Sequence, residues 1–155
     1  MPATSFVRTV FSDFLKKSGL EPTLLDRLRI TRSSPGVVHL NLPIEKKHTN
    51  RLEILHGGTI ASIVDLGGSL AVASKGLYST GVSTDISVTY LSSGGKVGDE
   101  INIKCTCDRM GRTLAFTTIE LSNVHNKVFA RGSHTKYIKD AYKDPLNQID
   151  AHKIK

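Results

Sequence analysis

His56-Gly57-Gly58-Thr59-Ile60-Ala61-Ser62-Ile63-Val64-Asp65-Leu66-Gly67-Gly68 sets a single acid in an otherwise acid-free run of small and apolar residues. From Gly57 to Gly76 there is no proline, and Ile60, Ile63, Val64, Leu70, Ala71 and Ala73 recur at the spacing of a buried helix. Burying an unpaired carboxylate raises its pKa or costs several kcal/mol, so Asp65 is expected to be either paired or useful. A functional acid explains it better than a structural cap or a core hydrogen-bond acceptor. Gly67 and Gly68 each cost about 1 kcal/mol relative to alanine inside a helix, which is tolerable where another backbone approaches closely.

Upstream, Phe6, Val7, Val10, Phe11, Phe14 and Leu15 repeat at helical spacing, which predicts an amphipathic helix over about 4–18, ended by Gly19 and Pro22. It lacks the long apolar core of a secretory signal, and Asp13 departs from the acid-poor character of a mitochondrial one, so packing on the domain is the expectation. Leu25–Thr31 and Val37–Leu42 are predicted as two strands joined by a tight turn at Ser33-Ser34-Pro35-Gly36. A polar connection, Glu45–Glu53, leads into the central helix. Downstream, Val82–Leu91, Glu100–Asp108, Thr113–Leu121 and Lys127–Ile138 are rich in β-forming residues and separated by turn residues. Neighbouring strands without intervening helices imply an α+β architecture, an antiparallel sheet wrapped around one long central helix. Residues 1–139 are expected to form the domain and 140–155, polar and Lys-rich with Pro145, a frayed tail.

The 155-residue length suits one domain, and no stretch approaches the ~20 apolar residues of a membrane span. Cys105 and Cys107 lie two apart in a strand-like run, suggesting neither a disulfide framework nor a zinc site, and a reducing compartment. The net charge of +7 and pI near 9.5 favour anionic partners: nucleic acid, an acidic membrane surface or a phosphate-bearing small molecule. Nucleic acid is disfavoured, since there is no tryptophan, no recognised motif and no basic stripe interleaved with aromatics.

The helix opening His56-Gly57-Gly58, with Asp65 within it and Gly81-Val82-Ser83-Thr84-Asp85-Ile86-Ser87-Val88-Thr89-Tyr90-Leu91 following, resembles the hotdog-fold acyl-CoA thioesterases of the PaaI type. The resemblance runs from about Asn50 to Tyr137 and includes Gly111-Arg112-Thr113-Leu114-Ala115-Phe116-Thr117 and Gly132-Ser133-His134-Thr135-Lys136. It implies hydrolysis of medium- to long-chain acyl-CoA without a cofactor or metal, in the cytoplasm or a mitochondrion. A non-catalytic acyl-CoA binder and an aryl-CoA thioesterase are the alternatives. The resemblance gives four roles: the Gly57 N–H and the Asn50 amide would meet the thioester carbonyl, while Asp65 and Ser83 would orient and activate water. A helix N-terminus suits a developing oxyanion. No Ser-His pair adjoins Asp65 in sequence, so Asp-assisted water attack is simpler than a triad, with direct carboxylate attack left open. His56 would either help fix the oxyanion region or hydrogen-bond to backbone, and His134 is expected to be structural.

The resemblance also implies that Tyr90 through Lys96 and Asp108 through Thr113 line the nucleotide side of the cleft. Its candidates for CoA are Lys46, Asp85, Tyr90, Lys96, Arg109, Gly111, Arg112, Thr113 and Lys136. Eight residues from Gly57 to Asp65 span about 12 Å of helix, too far for both to act on one carbonyl. Two antiparallel helices across a two-fold axis would bring them together, so a homodimer with two shared sites is expected. The resemblance further implies a dimer of dimers.

Overall fold

The computed structural model describes residues 3–149. Helix α1 (Ala3–Lys17) turns Phe6, Val7, Val10 and Phe11 inward, and the Phe6 ring meets Tyr78 edge-on at 6.3 Å. The expected packing on the domain is what this helix does. A short α2 (Leu20–Leu24) follows, then β1 (Arg29–Ser34) and β2 (Val37–Pro43) as a hairpin. The first strand therefore starts four residues later than the apolar pattern suggested. Pro22 lies in the first turn of α2, where its missing N–H costs nothing. Leu25 and Leu28 are buried from the turn after it, which is why the segment looked like a strand.

From β2 the chain passes a 3₁₀ turn (Lys46–His48) into α3 (Gly57–Ala73), then β3 (Val82–Tyr90), β4 (Glu100–Met110), β5 (Leu114–Asn123) and β6 (Val128–Tyr137). All pairings are antiparallel, and the six strands lie in the order β1-β2-β4-β5-β6-β3. Between β2 and β3 the chain crosses the whole sheet with α3 against its inner face, so β3 joins the far edge beside β6. This is the expected hotdog arrangement, with one core filled by α3 and alternate residues of the strands. Cys105 and Cys107 belong to that inner face as free thiols, and burial pushes Cys107 up to about 11. Among the described residues no helix is long and apolar enough to cross a membrane.

Close approach of α3 to the sheet explains its glycine pair, although side chains rather than backbone come near. A Cβ on Gly67 would stand 2.8 Å from the Cys105 Sγ, and one on Gly68 only 2.3 Å from the His134 Nδ1. The expectation of a frayed tail from residue 140 fails for residues 140–149. A 3₁₀ turn (Asp140–Lys143) buries Ala141, the Tyr142 hydroxyl donates to the Gly111 carbonyl at 2.7 Å, and Asn147 caps the Tyr78 N–H at 2.7 Å. Residues 150–155 of the expected tail lie outside the described residues.

Gly68→Ala should destabilise the fold by about 1–3 kcal/mol through overpacking, although alanine is the better helix former by about 1 kcal/mol. Gly19→Ala, with no atom within 4 Å of the added carbon, should stay near wild type. Urea titration of the two variants tests this.

Candidate active site

The N-terminal end of α3 presents donors. The His56 Nδ1 accepts from the Gly58 N–H at 2.7 Å, capping the helix and leaving the Gly57 N–H outside that cap. The expected hydrogen bond of His56 to backbone is present. The cap uses Nδ1 and leaves Nε2 as the ring's other nitrogen. The preceding loop is tied to the same helix through the His48 carbonyl, which accepts from the His56 N–H and the Thr59 hydroxyl. Within that loop the Asn50 Oδ1 accepts from the Leu52 and Ile54 N–H groups at 2.9 and 3.4 Å. Backbone donors fix the oxygen inward, so the Nδ2 is the amide's outward group. The Tyr90 hydroxyl donates to the Gly57 carbonyl at 2.8 Å. Lys46, Asn50, Arg51, Glu53 and Lys96 line a cleft of about 640 Å³ alongside.

Two turns further along α3 lies a different cluster. Its outward stripe is narrow and made of small residues, Gly57, Gly58, Ala61 and Ser62, ending at Asp65. The expected burial of Asp65 therefore does not hold within one chain: its side chain is 46% exposed. Across from it, the inner face of the sheet changes from apolar to polar at Thr117, His134 and Lys136, all buried. The His134 Nε2 is 2.7 Å from the Ser83 Oγ and 3.8 Å from the Asp65 Oδ1. Ser83 reaches this face through a β-bulge: it pairs with Lys136, while Thr84 and Asp85 share the single partner Thr135. The extra residue puts Ser83 on the side of Ile86 and Val88 and turns Asp85 to the outer face.

Burial lowers the His134 pKa, with the Lys136 cation acting in the same direction and Asp65 opposing, so the ring is neutral. Burial also lowers Lys136 below its ordinary 10.5, and Asp65 opposes that shift too. Only 3% of Lys136 is exposed in the single chain, and its charge is felt at Asp65 and His134. Among the described residues no three His, Cys, Asp or Glu side chains gather to hold a metal ion.

The remaining sequence candidates fall into two groups. Lys46, Lys96 and Tyr90 accompany Asn50 and Gly57. Ser83, Lys136, Ala115 and Met110 form one row across the sheet, so the turn carrying Arg109, Gly111, Arg112 and Thr113 flanks the Asp65 end. Ten residue steps along β4, roughly 30 Å, separate that turn from the loop of Lys96. One chain does not bring these cations together. His134, expected to be structural, is the residue whose ring meets both Ser83 and Asp65. Its signal was the alternation Ala130, Gly132, His134, Lys136, which sets two polar groups in line with the core face of β6.

Comparison with known proteins agrees with this fold. The model of the thioesterase superfamily matches residues 52–130. A putative esterase of Schizosaccharomyces pombe is 44% identical over 146 residues, covering 94% of this chain and 91% of the relative. Human acyl-coenzyme A thioesterase 13 is 34% identical over 136 residues, covering 87% and 96%. The crystal structure of zebrafish thioesterase superfamily member 2 superimposes with a TM-score of 0.80 at 33% identity, covering 88% of this chain and 98% of that one.

Lys136 generates a stability test. Its folded pKa lies below the unfolded one, so at neutral pH the folded state holds the proton less tightly and the charge costs stability. That cost fades as pH rises toward 10.5. Lys136→Met should therefore raise the thermal midpoint at pH 7, by roughly 2–4 °C for each 1 kcal/mol gained. Calorimetry of the two proteins checks the sign, and a lower midpoint would refute the reading.

Proposed function

The chain belongs to the thioesterase superfamily, and from that premise we propose that it hydrolyses medium- to long-chain fatty acyl-CoA to fatty acid and CoA by attack of a water activated by Asp65. The relatives named as acyl-coenzyme A thioesterases support the reaction class. The observation that carries the mechanism is that the one acid of α3 lies on the open stripe of the helix, across from Ser83.

Asp65 takes a proton from water as the water oxygen attacks the thioester carbon. The charge that develops on the carbonyl oxygen is met by the Gly57 N–H, at the positive end of α3, and by the Asn50 Nδ2. Collapse of the tetrahedral adduct breaks the C–S bond, and the departing thiolate recovers the proton from Asp65. The phosphates of CoA suit the cleft of Lys46 and Lys96, with Arg51 as an added cation, and the Arg109–Arg112 turn.

Gly57 and Asp65 lie about 12 Å apart along one axis, so each site is built from two chains. The outer edge of β3 supports this assembly. Among the described residues it has no strand on that side, and it carries exposed Val82 and Tyr90, 64% and 52% accessible. Pairing β3 with its two-fold copy would continue the sheet and cross the α3 helices antiparallel along their small-residue stripes. Asp65 of one copy would then approach Gly57 of the other. The acyl chain lies between the subunits, and two dimers pair into a tetramer.

The test is release of free thiol across an acyl-CoA length series. Asp65→Asn should fold and bind acyl-CoA yet lose most turnover, by about 10²–10⁴-fold in kcat. Undiminished turnover by the variant would refute Asp65 as the base. Binding without thiol release by the wild type would make the protein an acyl-CoA carrier instead.

A further inference from the structure

We propose that His134 is a positioning residue for this reaction: its Nε2 accepts the Ser83 hydroxyl hydrogen, which turns the Ser83 oxygen toward the cleft as an acceptor for the attacking water. The proposal rests on the reading of Asp65 as the base.

The His134 ring is held rigidly. It is fully buried, its carbonyl accepts from the Thr117 hydroxyl at 2.7 Å, and its Nδ1 edge lies flush against α3 at Gly68. That edge faces main chain one turn beyond Val64 and Asp65, whose backbone groups favour a proton on the ring. Nδ1 has no hydrogen-bond partner among the described residues. A proton on Nδ1, the edge that faces the main chain of α3, leaves Nε2 a bare acceptor for the Ser83 hydroxyl at 2.7 Å. Two groups approach Nε2. Ser83 at 2.7 Å is within hydrogen-bond range and supplies the hydrogen; Asp65 at 3.8 Å is outside it, as expected for two acceptors facing each other.

This geometry differs from a Ser-His-Asp relay, in which the hydroxyl and the carboxylate occupy opposite nitrogens of the ring. Here both meet the same nitrogen, and the other faces backbone. Burial beside the Lys136 cation also makes the ring a poor base. Ser83 is thus held in one rotamer with its oxygen lone pairs outward, and is not activated as a nucleophile. A water between Asp65 and Ser83 gives one hydrogen to the carboxylate and the other to the Ser83 oxygen, and its lone pair is left for the thioester carbon.

The proton assignment is tested on the wild-type protein with ¹⁵N-labelled histidine. The signals of His134 are identified by their loss in His134→Gln. Nε2 should carry no proton, and its resonance should move in Ser83→Ala; a proton on Nε2 overturns the proposal. Kinetics give the second arm. His134→Ala should lower kcat roughly tenfold, the worth of one hydrogen bond, with KM for acyl-CoA within about twofold. His134→Gln, whose amide oxygen can stand in for Nε2, should restore most of it. In a Ser83→Ala background, His134→Ala should cost nothing further, whereas a merely structural histidine would cost the same in both. An unchanged kcat, or equal losses in the two backgrounds, overturns the proposal while leaving Asp65 intact. Full turnover by Asp65→Asn removes the base instead, and the nitrogen spectra still decide the role of His134. If His134→Ala does not fold, the spectra and the Gln variant decide it.

Discussion

Helix α3 can lie across the sheet only as closely as Gly67 and Gly68 allow, and they allow contact with Cys105, Ile119 and the His134 ring. At that distance nearly all of the helix is covered, and what remains outside is a narrow stripe of small residues ending at Asp65. The rest of the molecule follows from this contact. It presses the His134 ring into one orientation, and it sets the donors of the helix N-terminus and the acid two turns apart on one rigid axis. A rigid axis cannot fold back on itself, so the packing that makes the core also divides the proposed chemistry between two copies.

The two ends differ in their physics. At Gly57 and Asn50 the groups are donors: an N–H outside the His56 cap and an amide whose oxygen is already bonded to backbone. In the proposed reaction they would meet negative charge that appears only in the transition state. At Asp65 the groups are acceptors, with a buried neutral histidine between the acid and Ser83. Lys136 lies inside this acceptor group, where its charge lowers the basicity of His134 at the expense of its own desolvation. The basic excess of the chain divides in the same way, Lys46, Arg51 and Lys96 at one end and the Arg109–Arg112 turn at the other.

Much of this architecture is written in local pattern. The period of Ile60, Ile63 and Val64 gives α3, the alternation of apolar residues gives five of the six strands close to their observed bounds, and the lone acid identifies the helix that matters. Other features depend on partners far away in the chain. The bulge at Thr84 is defined only by the register of β6, so nothing in Ser83-Thr84-Asp85 foretells that these neighbours face opposite sides of the sheet. Tyr142 and Asn147 dock the segment after residue 140 on Gly111 and Tyr78, and such single hydrogen bonds leave no periodic trace. Leu25 and Leu28 are buried from a turn, and burial alone does not distinguish a turn from a strand. What distinguishes His134 from an ordinary core histidine is only the nearness of its ring to Asp65 and Ser83, which the fold creates.

The central claim is that each site takes Gly57 and Asn50 from one chain and Asp65 and Ser83 from another. Mixing Asn50→Ala subunits with Asp65→Asn subunits, each nearly inactive alone, makes heterodimers in which one site carries both lesions and the other carries neither. With exchange verified by mass spectrometry on differently tagged chains, thiol release should rise above either parent, toward about half the wild-type value per heterodimer by two-fold symmetry. Verified heterodimers that stay as inactive as their parents would mean that the two residues act within one chain, contradicting the shared site.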